Sequence, residues 1–284
     1  MADVQEFLIK TDEQYNLSDV ILSDENREKI DLFLNEIAHR KEFKKYGLNP
    51  LNRLLFYGAS GTGKTMLATA LAKELNYTML AVDIAKALSD NSVAKNITEV
   101  FDYANSKKNC LIFLDECDSI TMSRYNASYD DTAQVRRATN SLFQYLDRMD
   151  IENVFIAATN LLYKIDPAFE RRMNLKLEFK RPQVDILDTI KKFLHKDFEL
   201  INDVDKNVYT LVIDRSKANT KLSYYEIKGI VERAMKDAII NGTLEVRTSR
   251  IFKDLAETMN LKFRFHTDTD PIEMYKRPVD DMND

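Results

Sequence analysis

The sequence predicts an α/β fold: a five-stranded parallel sheet between helices, followed by a small helical domain. Three observations carry that expectation. Arg53-Leu54-Leu55-Phe56-Tyr57 is a short apolar run that enters Gly58-Ala59-Ser60-Gly61-Thr62-Gly63-Lys64-Thr65, and a helix-forming stretch from Thr65 to Leu75 follows it. Leu111-Ile112-Phe113-Leu114 has the character of a strand buried on both faces, and it ends in Asp115-Glu116, where a central parallel strand meets the ligand crevice. Beyond Pro182 the apolar residues recur at helical spacing, and no further strand is expected.

Residues 58–65 fit the spacing G-x-x-x-x-G-K-[ST]. Glycines let backbone N–H groups close around a phosphate, Lys64 reaches the β and γ oxygens, and Thr65 offers a hydroxyl to Mg²⁺. The helix that starts here adds the partial positive charge of its N-terminus. The nucleotide-binding set is therefore Gly58, Ala59, Ser60, Gly61, Thr62, Gly63, Lys64, Thr65 and Met66, with Thr65 and Asp115 as the metal pair. Asp115 would hold Mg²⁺ through its water shell, and Glu116 would orient and polarise an attacking water. Asp118 is read as a brace for the turn.

Composition narrows the class. The chain has 284 residues, 44% apolar content and a net charge of −5, with pI near 5.5. That balance argues against an obligate nucleic-acid partner. No window approaches the ~18 apolar residues of a membrane span, and the first residues lack the basic start of a signal peptide, so a cytoplasmic protein is expected. Cys110 and Cys117 flank one predicted strand, a spacing that suits reduced thiols rather than a disulfide. His39, His195 and His266 lack ligand spacing, and no clustered metal site is expected.

Taken in order, residues 1–18 are an arm or an extra helix, with an apolar run at Phe7-Leu8-Ile9. Ser23 starts a helix carrying Ile30, Phe33, Leu34 and Ile37, which enters the first strand through Tyr46-Gly47-Leu48-Asn49-Pro50. Strands follow at 78–83, 111–114, 154–158 and 175–179, with helices over Val93–Ala104 and Thr132–Met149. Asn160, at the tip of the fourth strand, either bonds the attacking water or γ-phosphate or caps the turn. Arg171 and Arg172 form either a solvated basic spot or a source of charge stabilisation for phosphoryl transfer in trans. Helices are expected over 183–198, over 205–215, from Ser223-Tyr224-Tyr225-Glu226 to Asn241-Gly242, and over Thr248–Asn260. The domains are thus an arm at 1–18, a nucleotide-binding domain at 19–181, a helical domain at 182–260 and a polar tail at 261–284.

Together these motifs resemble the AAA+ ATPases, and within them the AAA proteins proper. The resemblance runs from about Asp19 to Gly242. It rests on the entry segment at 46–50, the phosphate loop, Asp115-Glu116, the sensor-like Ala158-Thr159-Asn160, and Asp166-Pro167-Ala168 through Arg171-Arg172. It implies a P-loop NTPase sheet, a helical lid, ATP and Mg²⁺ as cofactors, a homo-oligomeric ring usually of six copies, and hydrolysis at interfaces where Arg171 and Arg172 reach the neighbour's nucleotide. Glu116, Asn160, Arg171 and Arg172 are then the catalytic set.

Departures are also present. Relatives that thread polypeptides carry an aromatic–apolar–Gly loop, whereas Leu88–Asn96 is shorter and has neither an aromatic nor a glycine. Tyr224 and Tyr225 stand where relatives place small residues or a sensor arginine, and Lys228 is a weak substitute. The histidine that contacts the base in relatives would fall near Ile190, and His195 is incidental. The leading expectation is a ring ATPase that remodels a protein partner. The alternative is a nucleotide-dependent oligomeric switch that regulates a partner without threading it. Remodelling of nucleic acid and small-molecule kinase activity fit less well.

Overall fold

The apolar runs at 54–56, 80–82, 110–114 and 154–158 send alternate side chains into two cores, whereas Leu175, Leu177 and Phe179 enter one of them alone. The computed structural model describes residues 8–9, 15–84, 93–121, 132–182, 186–204, 210, 212, 214–216 and 222–260. The expectations for residues 1–7, 88–92, most of 205–215 and 261–284 lie outside the described residues. The strands are β1 (Leu8–Ile9), β2 (Arg53–Gly58), β3 (Thr78–Val82), β4 (Cys110–Leu114), β5 (Val154–Thr159) and β6 (Leu175–Phe179), in the spatial order β1-β3-β4-β5-β2-β6.

The five strands β2 to β6 run parallel. The arm is not an extra helix at its apolar run: Leu8 pairs antiparallel with Val82, and Ile9 with Ala81. The backbone groups on the outer edge of β3 give that short strand its partners.

Cys110, Ile112 and Leu114 enter one core beneath α3 (Val93–Lys107) and α5 (Thr132–Arg148). Leu111 and Phe113 enter the other, beneath α1 (Asp24–Lys45) and α2 (Lys64–Glu74). All five residues of β4 are buried, which explains its unbroken apolar run. Burial of each core phenylalanine, such as Phe33, Phe113 and Phe155, contributes roughly 2–3 kcal/mol. At the start of α1 the Ser23 hydroxyl accepts from the Asn26 N–H at 3.3 Å. Asn26 in turn donates to the Glu178 carbonyl at 2.8 Å, tying the helix to β6.

The chain divides into two units, Met1–Lys180 and Arg181–Asp284. The second contains α7 (Ile186–Phe193), β7 (Glu199–Ile201), α8 (Tyr224–Ile240), β8 (Glu245–Arg247) and α9 (Thr248–Thr258), and two short helices, α4 (Asp118–Thr121) and α6 (Pro167–Glu170), belong to the first. The expected absence of strands beyond Pro182 is corrected here. β7 and β8 pair in parallel, with Leu200 opposite Val246. Each has three residues, too few to show an alternating pattern. The expected helix over 183–198 ends at Phe193 for the same reason, since the chain turns into β7. Ser223 and Glu226 cap α8 reciprocally, through bonds of 2.9 and 3.4 Å. Among the described residues no helix is long and apolar enough to cross a membrane.

Candidate active site

The phosphate loop begins where β2 leaves the sheet, and its first glycine is fixed by packing. Gly58 has φ +142°, and a Cβ there would lie 2.1 Å from the carbonyl oxygen of Phe179 on β6. Gly61 and Gly63 have φ +71° and +100°, backbone that favours glycine. The Thr62 hydroxyl, almost wholly buried, donates to the Ala59 carbonyl at 2.7 Å and closes the loop on itself. α2 then starts at Lys64 with no side chain capping its N-terminus, leaving its first N–H groups directed into the loop. Ser60 is exposed, and Met66 packs its side chain on the core, so only its backbone faces the loop.

Lys64 is 7% exposed. Its Nζ donates to the carbonyls of Gly58 and Ala59 and to Asn160 Oδ1, each at 2.8 Å. Burial lowers the Lys64 pKa, and the negative charge of Asp115 partly offsets that shift. Thr65 Oγ1 donates to Asp115 Oδ2 at 3.1 Å. A hydroxyl beside a carboxylate is a hard-oxygen pair of the kind Mg²⁺ takes in company with water and phosphate oxygens, so these two residues fit the ion. Lys64, Thr65, Asp115 and Asn160 are therefore joined at the carboxyl ends of β2, β4 and β5, the crevice where an open parallel sheet binds ligands.

Glu116 adopts φ +47°, left-handed backbone that is uncommon outside glycine and asparagine. Its N–H donates to Asp115 Oδ1 at 2.9 Å, and its side chain is exposed. The turn then locks down, since the Cys117 N–H bonds the Ala158 carbonyl at 2.9 Å. Cys117 is fully buried, and that burial pushes its thiol pKa far up, so the reduced thiol is inert packing. Asp118 does brace the turn, for its carboxylate accepts from the Thr159 hydroxyl at 2.7 Å, and Thr159 accepts from the Leu161 N–H at 2.9 Å. These bonds set the direction in which the next residue, Asn160, leaves β5.

The two arginines part company. Arg172 donates from Nε and Nη2 to the Asp147 carboxylate at 2.9 and 3.0 Å, and from Nη1 to the Ala168 carbonyl at 2.9 Å. Its guanidinium lies 4.4 Å from the centre of the Phe143 ring. The hydrogen bond to Arg172 holds the Asp147 carboxyl below its ordinary pKa. Arg171 is exposed, its backbone N–H donates to the Pro167 carbonyl, and its side chain has no partner among the described residues. Among the described residues neither arginine bonds the phosphate loop, Asp115 or Glu116. Asp147, Phe143 and the Thr139 hydroxyl, which donates to the Ile120 carbonyl, escaped sequence reading because their partners are distant in sequence. In the second unit Lys228 sits 3.7 Å from Glu232, Tyr224 is partly buried and Tyr225 is exposed.

Comparison with known proteins agrees with this geometry. Residues 54–181 match the family model described as ATPase family associated with various cellular activities (AAA). The chain is 29% identical over 244 residues to an uncharacterized AAA family ATPase, y4kL, of Sinorhizobium fredii, spanning 85% of this chain and 71% of that protein. It is 31% identical over 225 residues to a 26S proteasome regulatory subunit 6B homolog of Dictyostelium discoideum, spanning 77% of this chain and 54% of that protein. The chain thus spans about half the length of the Dictyostelium relative.

Proposed function

The chain belongs to the AAA ATPases through its module at residues 54–181, and from that premise we propose that it works as a ring of like copies, usually six, that spends ATP to remodel a protein partner. The observation that carries the reading is the convergence of Lys64, Thr65, Asp115 and Asn160 within direct hydrogen bonds. Lys64 and the N–H groups of residues 58–66 bind the triphosphate. Thr65 and Asp115 would hold Mg²⁺, which when bound would supply positive charge to offset that of the triphosphate.

Glu116 accepts a proton from the attacking water, and Asn160 holds that water or the γ-phosphate in line. An arginine exported by the adjacent copy offsets the charge that develops on the transferred group. Residues 182–260 form the lid domain of this proposal. The net charge of −5 disfavours nucleic acid as the partner, and the Dictyostelium relative's name, a proteasome regulatory subunit, supports a protein. A cytoplasmic location fits that role.

A second reading is a nucleotide-driven switch, in which assembly alone controls a partner. The segment 88–96, with neither aromatic nor glycine, favours it.

The test is ATPase rate per subunit against protein concentration, with particle mass recorded in ATP, in ADP and without nucleotide. Specific activity should rise with an ATP-dependent assembly. A monomer that turns over ATP at a constant specific rate would overturn interface catalysis. Candidate protein partners added to the assembled form then separate the two readings, because a remodeller changes the partner's fold and a switch changes only its activity.

A further inference from the structure

Arg171 and Arg172 are adjacent in sequence, yet the fold gives them opposite surroundings. All three donor nitrogens of Arg172 are engaged within its own chain, and its planar face is stacked on Phe143. To reach a nucleotide held by another copy it would have to abandon a bidentate ion pair, a carbonyl and an aromatic ring together. Arg171 has no side-chain partner among the described residues and is exposed.

The segment that carries both is otherwise firmly seated. Phe169 is fully buried, with its ring centroid 6.3 Å from Phe143 and 6.5 Å from Phe155. The Asp166 carboxylate caps α6 through the Ala168 N–H at 2.6 Å. At the far end the Asn174 N–H bonds the Arg53 carbonyl at 2.8 Å. Arg53 closes the other side of the same corner, donating from Nη1 to the Leu146 carbonyl at 3.2 Å on α5.

We propose that Arg172 is a positioning residue rather than a second finger: clamped to Asp147 and Phe143 of α5, it fixes the segment from which Arg171 alone reaches the neighbouring copy's site. This rests on the reading above that an arginine acts in trans. A bidentate pair stacked on a ring sets orientation as well as position. The geometry divides the pair into one residue that acts and one that aims.

The experiment measures turnover and equilibrium ATP binding for full-length Arg171→Ala, Arg172→Ala, Asp147→Asn and the double variant Arg172→Ala/Asp147→Asn. Each is also mixed with Glu116→Gln subunits, which export an intact arginine but do not hydrolyse. Arg171→Ala should lose about 10³-fold or more in turnover. Arg172→Ala and Asp147→Asn should each lose roughly 10- to 100-fold, the scale of a small misplacement. The double variant should be no worse than either, since both remove one clamp. ATP affinity should stay at the wild-type value in all four, and Glu116→Gln subunits should restore turnover to each.

Arg172→Lys, which keeps the charge but not the fork, should share the Arg172→Ala defect and guards against a variant that fails to fold. Full activity of Asp147→Asn beside an inactive Arg172→Ala would make Arg172 a finger and overturn the proposal. So would defects that multiply in the double variant. Wild-type turnover of Arg171→Ala, or no recovery on mixing, would instead overturn the trans reading on which it rests.

Discussion

Lys64 Nζ donates to Asn160 Oδ1 across 2.8 Å, so the tip of β5 is fastened to the first residue of α2. The charged group that meets phosphate and the amide that aligns water are thus in contact, but their losses should differ in kind. Lys64→Ala should weaken ATP binding at least ~10-fold, the scale of a lost hydrogen bond to a charged group. Asn160→Ala should leave ATP affinity near wild type and lower kcat by roughly 10²-fold. Calorimetric titration beside steady-state kinetics checks the split, and equal losses of affinity in the two variants would remove Asn160 from the chemistry.

Glu116→Gln should retain ATP and fall in turnover by roughly 10²–10⁴-fold, the range for a lost general base. Its backbone contact is unaffected, because the bond to Asp115 Oδ1 is made by the main-chain N–H. Single-turnover hydrolysis with bound radiolabelled ATP reads this directly, and rapid release of phosphate would assign the base elsewhere.

Gly58→Ala and Thr65→Ala should fail in different ways. A methyl on Gly58 must displace the Phe179 carbonyl that lies 2.1 Å from it, opening the β2–β6 pairing, at a cost of about 2–4 kcal/mol and several degrees in Tm. Thr65 is exposed, so Thr65→Ala should melt with wild type while losing its Mg²⁺-dependent activity. Melting curves and Mg²⁺ titrations of turnover separate a sheet defect from a metal defect.

The clamp on Arg172 should be insensitive to pH until strongly acid conditions. Asp147's folded pKa is lowered, first by the Arg172 hydrogen bond, from an ordinary value of 3.8. Its contribution is therefore complete above about 3.8 and is lost as pH falls through the lowered value. Both side chains are partly exposed, so water limits the contribution to under about 1 kcal/mol. The Tm difference between wild type and Asp147→Asn should be constant at neutral pH and vanish in acid, and a difference that changes near neutrality would implicate another group.

Local features were legible in the sequence because their partners are local. The spacing of Gly58, Gly63 and Lys64, the run ending at Asp115-Glu116, and the Ser223–Glu226 cap each state their geometry within a few residues. What stayed hidden depends on residues far apart. Leu8–Ile9 is a strand only because β3 offers it an edge, and β7 exists only because β8 returns beside it forty-odd residues later. Arg171 and Arg172 are the same letter twice, and only Asp147 and Phe143, on a helix that precedes them by a whole strand, tell them apart.

Glu116 holds left-handed backbone with its side chain in water, a combination that costs of order 1 kcal/mol or more for a residue other than glycine. Glycine or asparagine would rest there more easily. Drift under selection for folding alone would therefore tend to erase this carboxylate, making the position a sensor of retained use. In a lineage whose copies still consume nucleotide the acid persists against the backbone's preference, and in one that keeps only the scaffold it is among the first residues to relax.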